Sequence, residues 1–152
     1  MNRRDFSAAG LATVAVAGLG AKAFSQPAGD APSGGHLHHA DDAMMACAKA
    51  CSDCQRECDS CSAHCSQRTA DGKKEHLVTV KTCQDCADIC VAAAQIISRG
   101  GPFAATICTA CAEVCGKCGE ACEKFPDDEH MKRCAEECRK CEKACREMVK
   151  HA

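Results

Sequence analysis

From residue 41 to the end, sulfur and apolar side chains recur at alternating steps of three and four, with charged residues between them. The first run reads Met44, Cys47, Cys51, Cys54, Cys58, Cys61, Cys65. The second reads Val80, Cys83, Ala87, Cys90, Ala94, Ile97, with Cys86 one step to the side. The third reads Ala104, Cys108, Cys111, Cys115, Cys118, Cys122, Phe125, and the fourth Met131, Cys134, Cys138, Cys141, Cys145, Met148. This is the spacing of a heptad seam, one stripe of an α-helix facing a partner. No segment alternates with the two-residue period of a strand.

Turn residues separate the runs. Thr69-Ala70-Asp71-Gly72 closes the first and Ser98-Arg99-Gly100-Gly101-Pro102 the second, with Pro102 suited to the first turn of the next helix. Phe125-Pro126-Asp127-Asp128 closes the third, and Asp127 or Asp128 can cap the fourth. The pattern predicts an all-α domain over residues 41–152, with helices at about 41–69, 73–98, 102–124 and 128–150. Short links favour an antiparallel, up-down-up-down four-helix bundle with a cysteine-lined core. Off-seam residues such as Lys49, Asp53, Arg56, Glu57, Glu136, Arg139 and Lys143 read as solvated faces.

The first 40 residues have another character. Arg3-Arg4 precede Phe6, a short run rich in Ala and Gly follows from Ala8 to Gly20, and Ala21-Lys22-Ala23 offers a small-residue cleavage site. Residues 1–23 are expected to be a twin-arginine signal peptide, too short and too weakly apolar to anchor in a membrane, which predicts export to the periplasm of a bacterium. Residues 24–40, rich in Pro, Gly, Ala and Ser, read as a flexible linker ending in His36, His38 and His39.

Composition sharpens the question. The chain of 152 residues contains 18 cysteines, no Trp and no Tyr, and carries a formal charge of −2. Such a charge gives no pull toward nucleic acid, and no nucleic-acid module is visible. Between Ala46 and Ala70 there is no Leu, Ile, Val, Phe or Met. Ordinary bundles fill their seams with Leu and Ile, whereas cysteine is a small, modest hydrophobe. Something must fill or cross-link so thin a core.

Three fillers are open. Disulfides suit an exported protein, yet neighbours at i, i+3 and i, i+4 on one helix are poorly placed to bond. Such a chain would be a braced structural or interaction protein. Zinc favours closed four-thiolate sites, each leaving a buried charge of −2 that is costly to repeat, and iron–sulfur clusters take their cysteines from short loop motifs. Copper(I) is soft and matches thiolate. One Cu⁺ per bridging thiolate keeps the interior near neutral, which predicts about 15–20 ions per chain. The candidate ligands are Cys47, Cys51, Cys54, Cys58, Cys61, Cys65, Cys83, Cys86, Cys90, Cys108, Cys111, Cys115, Cys118, Cys122, Cys134, Cys138, Cys141 and Cys145.

The repeated C-x-x-x-C pairs (Cys47/Cys51, Cys54/Cys58, Cys61/Cys65, Cys86/Cys90, Cys111/Cys115, Cys118/Cys122, Cys134/Cys138, Cys141/Cys145), joined by C-x-x-C steps, resemble those of the bacterial copper storage proteins. The resemblance runs from about Asp41 to Ala152. It implies copper(I) held inside a four-helix bundle, thiols that stay reduced without metal, a non-enzymatic role, and a homo-oligomer, often a tetramer. Copper ions are the expected ligand, with a copper chaperone or a copper enzyme as exchange partner. Eighteen cysteines is closer to the count in the family's cytosolic branch, so supply and detoxification both stay open.

Met44, Met45 and Met148, with His36, His38 and His39, fall at the end of the bundle where the linker joins, and are candidate labile ligands at a metal mouth. The opposite end carries His64, His76, His130 and Met131, the histidines expected in solvent. No arrangement of nucleophile, base and orienting group suggests catalysis.

Overall fold

In the computed structural model, residues 35–151 are described, with side chains from residue 42 onward. The expected signal segment and most of the expected linker lie outside the described residues. Four α-helices follow in order: α1 (Gly35–Ala70), α2 (Leu77–Ser98), α3 (Ala104–Cys122) and α4 (Glu129–Lys150). A 3-10 turn, Lys74–His76, leads into α2. Each helix packs against two neighbours, α1 on α2 and α4, α3 on α2 and α4, while the diagonal pairs do not touch through their backbones. This is the square, antiparallel bundle that short connections require.

Helix ends follow local chemistry. α1 starts six residues before the expected boundary at 41, so residues 35–40, with His36, His38 and His39, belong to a helix and not to the linker. Nothing between Gly35 and Ala70 breaks a helix; the last breakers are Pro32, Gly34 and Gly35 itself. Gly72 (φ 91°) and Gly100 (φ 58°) take the left-handed turn that follows α1 and α2, a conformation costly for any residue with a Cβ. Pro102 sits in the turn ahead of α3, which begins only at Ala104. Asp128 caps α4: its Oδ1 accepts from the backbone N–H of His130 at 3.0 Å and of Met131 at 3.4 Å. Asp128→Ala is therefore expected to destabilise metal-free protein by about 1–2 kcal/mol, read by urea denaturation.

The core is built of thiols. Ile97 and Met131 are the largest fully buried side chains, and cysteines come next. All eighteen cysteines are buried. The seam of α2 runs one residue away from the expected register: Thr79, Cys83, Cys86, Cys90, Ala93 and Ile97 are buried, while Val80 and Ala94 are only half-buried. Those steps still alternate four and three, so Cys86 is a full member of the seam, not a flank to it. Ala87 is buried too, which is why either register could be read from the spacing. On α3, a Cβ at Gly116 would lie 3.2 Å from Glu142 and one at Gly119 would lie 3.2 Å from Arg139, so α4 side chains lie close over the helix there. Arg139 donates across this contact to Gly116 O and Glu123, and along its own helix to Glu142. Among the described residues, no helix is long and apolar enough to cross a membrane.

Candidate metal centre

Because α1 and α3 face each other across the diagonal, as do α2 and α4, their cysteine columns converge on the bundle axis. Sulfurs meet across both diagonals: Cys54 to Cys115 at 3.9 Å, Cys58 to Cys118 at 3.9 Å, and Cys90 to Cys141 at 4.0 Å. Adjacent helices add Cys51 to Cys145 at 3.6 Å, Cys86 to Cys115 at 3.7 Å, Cys58 to Cys138 at 3.7 Å and Cys118 to Cys83 at 3.6 Å. A disulfide bond is about 2.05 Å long, so these sulfurs are unbonded, and every cysteine is a free thiol. A metal bound about 2.3 Å from several sulfurs holds them roughly 4 Å apart, so the thiols already stand at bridging distance.

The thiols fall into quartets whose sulfurs lie within 4.8 Å of one another, four of the five below sharing cysteines with a neighbour. Five of them along the axis are Cys51/Cys111/Cys141/Cys145, Cys54/Cys86/Cys90/Cys115, Cys54/Cys58/Cys86/Cys138, Cys58/Cys118/Cys134/Cys138 and Cys61/Cys83/Cys122/Cys134. Cys54, Cys58, Cys86, Cys134 and Cys138 each belong to two of them. Cys47 donates to Cys145 at 3.8 Å toward one end.

Burial works against a bare thiolate throughout the column, while the sulfur hydrogen bonds divide the thiols, holding Cys54, Cys86, Cys111 and Cys134 below the ordinary range and pushing others above it. Cys138 is held far above the ordinary thiol pKa by hydrogen bonds to Cys118, Cys134, Cys54 and Cys58, and burial adds to it. Cys115 is raised in the same way by Cys111, Cys141, Cys54 and Cys86, then by burial. Losing such a proton breaks bonds and leaves a buried anion, so it leaves only when a cation takes its place.

The two ends differ. At the end where α1 begins, a hollow is lined by Ala43, Met44, Gly100, Gly101, Pro102, Ala104, Ala105, Met148 and His151. Met148 is buried and Met44 half-buried, whereas Met45 is 57% exposed and lines no part of this hollow. The side chains of His36, His38 and His39 lie outside the described residues.

At the opposite end the histidines form an ordered cap. His76 is buried, 3% exposed, contrary to the expected solvent position, and stacks on Phe125 with centroids 4.1 Å apart. Burial lowers its pKa, and its Nδ1 has no partner. His64 stacks on His130 at 4.6 Å and reaches Asp128 Oδ2 with its Nε2 at 2.8 Å. His130 Nε2 in turn meets Ser60 Oγ at 3.1 Å. Burial works against the Asp128 charge, but the bonds from His64, Met131 and His130 hold its pKa below the usual carboxylate range. Beneath the cap lies Met131, which continues the α4 seam. Its Sδ accepts from Cys61 at 3.5 Å and from Cys65 at 3.4 Å.

The comparisons agree with this geometry. A family model described as "Copper storage protein" matches residues 39–150. A cytosolic copper storage protein from Streptomyces lividans, solved with five coppers, is 34% identical, with 74% of this chain and 97% of that one covered and a TM-score of 0.67. The same protein loaded with 10 copper equivalents gives 35% identity, 73% and 86% coverage, and a TM-score of 0.66. Metal-free copper storage protein 3 from Bacillus subtilis gives 35% identity, 68% and 96% coverage, and a TM-score of 0.59. No curated protein matches the chain.

Proposed function

The chain belongs to the copper storage protein family, and from that premise we propose that its eighteen seam cysteines are the ligands of a multinuclear copper(I) store, filled by exchanging thiol protons for metal. The observation that carries this is the convergence of four cysteine columns on one axis at 3.6–4.0 Å, unbonded and fully enclosed. Copper(I) fits that set better than zinc. It accepts two or three sulfurs, and shared thiolates leave the interior neutral where repeated four-thiolate zinc sites would not.

The role is storage, not catalysis. The enclosed thiols leave no open coordination position facing a substrate. The twin arginine, the apolar run and Ala21-Lys22-Ala23 support export to the periplasm, where the store would exchange copper with a chaperone or a copper enzyme. Large apolar side chains left exposed, Leu77, Val78 and Phe103, supply surface for association with further copies.

Two measurements test this. A thiol count on purified metal-free protein is expected near eighteen; a count near zero would return the chain to the disulfide-braced alternative. Metal analysis of protein from copper-grown cells is expected to find copper in large excess over zinc.

Copper is taken up at the Met44/Met148 hollow, at the end of the column where Cys47 meets Cys145. The triple replacement Met44→Leu, Met45→Leu, Met148→Leu is expected to slow loading several-fold at unchanged capacity. Stopped-flow transfer from a copper(I) chelator reads this, and an unchanged rate counts against that mouth.

A further inference from the structure

At the end closed by the histidines, the sulfur column does not finish with a thiol. Cys65 is the last cysteine of α1, and the α4 seam position opposite it is Met131, one heptad step before Cys134. Met131 is 0% exposed. Its contacts of 3.4 Å and 3.5 Å to Cys65 and Cys61 are shorter than any of the thiol–thiol contacts of the seam, 3.6–4.0 Å. A residue that only filled space would need no sulfur there, because Leu has nearly the same volume. The thioether accepts from both thiols, so its lone pairs are aimed at the gap between them. The Asp128 cap fixes the start of α4 through the Met131 N–H, and His64 fixes Asp128.

We propose that Met131 is a copper ligand. With Cys61 and Cys65 it forms a mixed thiolate–thioether site that closes the column at this end. The proposal rests on the copper(I) storage reading above. Cys61 is shared with the quartet Cys61/Cys83/Cys122/Cys134, so the terminal ion is balanced by the Cys65 thiolate and the site stays neutral. A thioether is a soft, uncharged donor that suits copper(I) and not zinc. It also needs no deprotonation, so this ion displaces fewer protons than one held by three thiols.

The test uses the full chain labelled with selenomethionine, with Met44, Met45 and Met148 changed to Leu. Met1 and Met131 are then the only labelled positions. Selenium-edge X-ray absorption of copper(I)-loaded protein should show copper as a direct neighbour of selenium, and adding Met131→Leu should abolish that signal. In the otherwise native chain, Met131→Leu should lower copper capacity by one ion, with the melting temperature of metal-free protein nearly unchanged. Loaded protein without a selenium–copper neighbour, or one whose signal survives Met131→Leu, overturns the proposal and leaves the thiol store standing. A chain that takes up no copper sinks both.

Discussion

Reduced protein titrated with copper(I) against a competing chelator is expected to saturate at about 15–20 ions per chain, following the balance of one cation per buried thiolate. A protonated thiol gives up its proton as it binds. Cys115 and Cys138, whose pKa values are pushed up by their sulfur neighbours and by burial, are protonated at neutral pH before metal arrives. Loading should therefore release protons, and apparent affinity should fall as pH falls, because protons compete for the same sulfurs. Replacing Cys54, Cys58, Cys115 and Cys138 together by Ala empties the middle of the axis and should remove about four ions on the same balance. Saturation at one or two ions would mean that the thiols pack and do not bind.

Loading should also raise the melting temperature by more than about 30 °C. The metal-free core lacks the large apolar side chains that hold most bundles together, with only Ile97 and Met131 fully buried among the bigger of the described residues. A cysteine seam removes little apolar area from water at about 25 cal/mol per Å². Copper binds the folded chain, where four columns meet, far better than the unfolded one. Two sites at free metal a thousandfold above Kd already contribute about 8 kcal/mol, and a domain of this size shifts by roughly 4 °C per kcal/mol. Differential scanning calorimetry of metal-free and loaded protein checks this. A shift below about 5 °C would place the metal on the surface and not in the core.

The bundle, its direction and its thiol-lined interior were legible because cysteine marks every seam and glycine or proline marks every link. The misread parts have physical causes. On α2 the apolar Val80 drew the stripe one residue away from Thr79, yet Thr79 is the buried one. Sequence spacing alone could not separate Cys86 from Ala87, since both lie inward. His76 sits beside Lys74 and Glu75 and so looked solvated; the 3-10 turn folds it back against Phe125, a contact 49 residues away along the chain that no local pattern reveals. Met131 continued the heptad, and only the approach of Cys61 and Cys65 from another helix shows what its sulfur meets.

Cys54, Cys58, Cys86, Cys134 and Cys138 each stand in two neighbouring quartets. With copper on those sulfurs, an ion can step to the next position by trading one ligand at a time, never passing through water. Filled and emptied through the Met44/Met148 end, the column works as a stack: the ion deposited last is the first withdrawn. The rate of release is governed by how far an ion must climb, and a cell drawing on the reserve meets resistance that grows with depth.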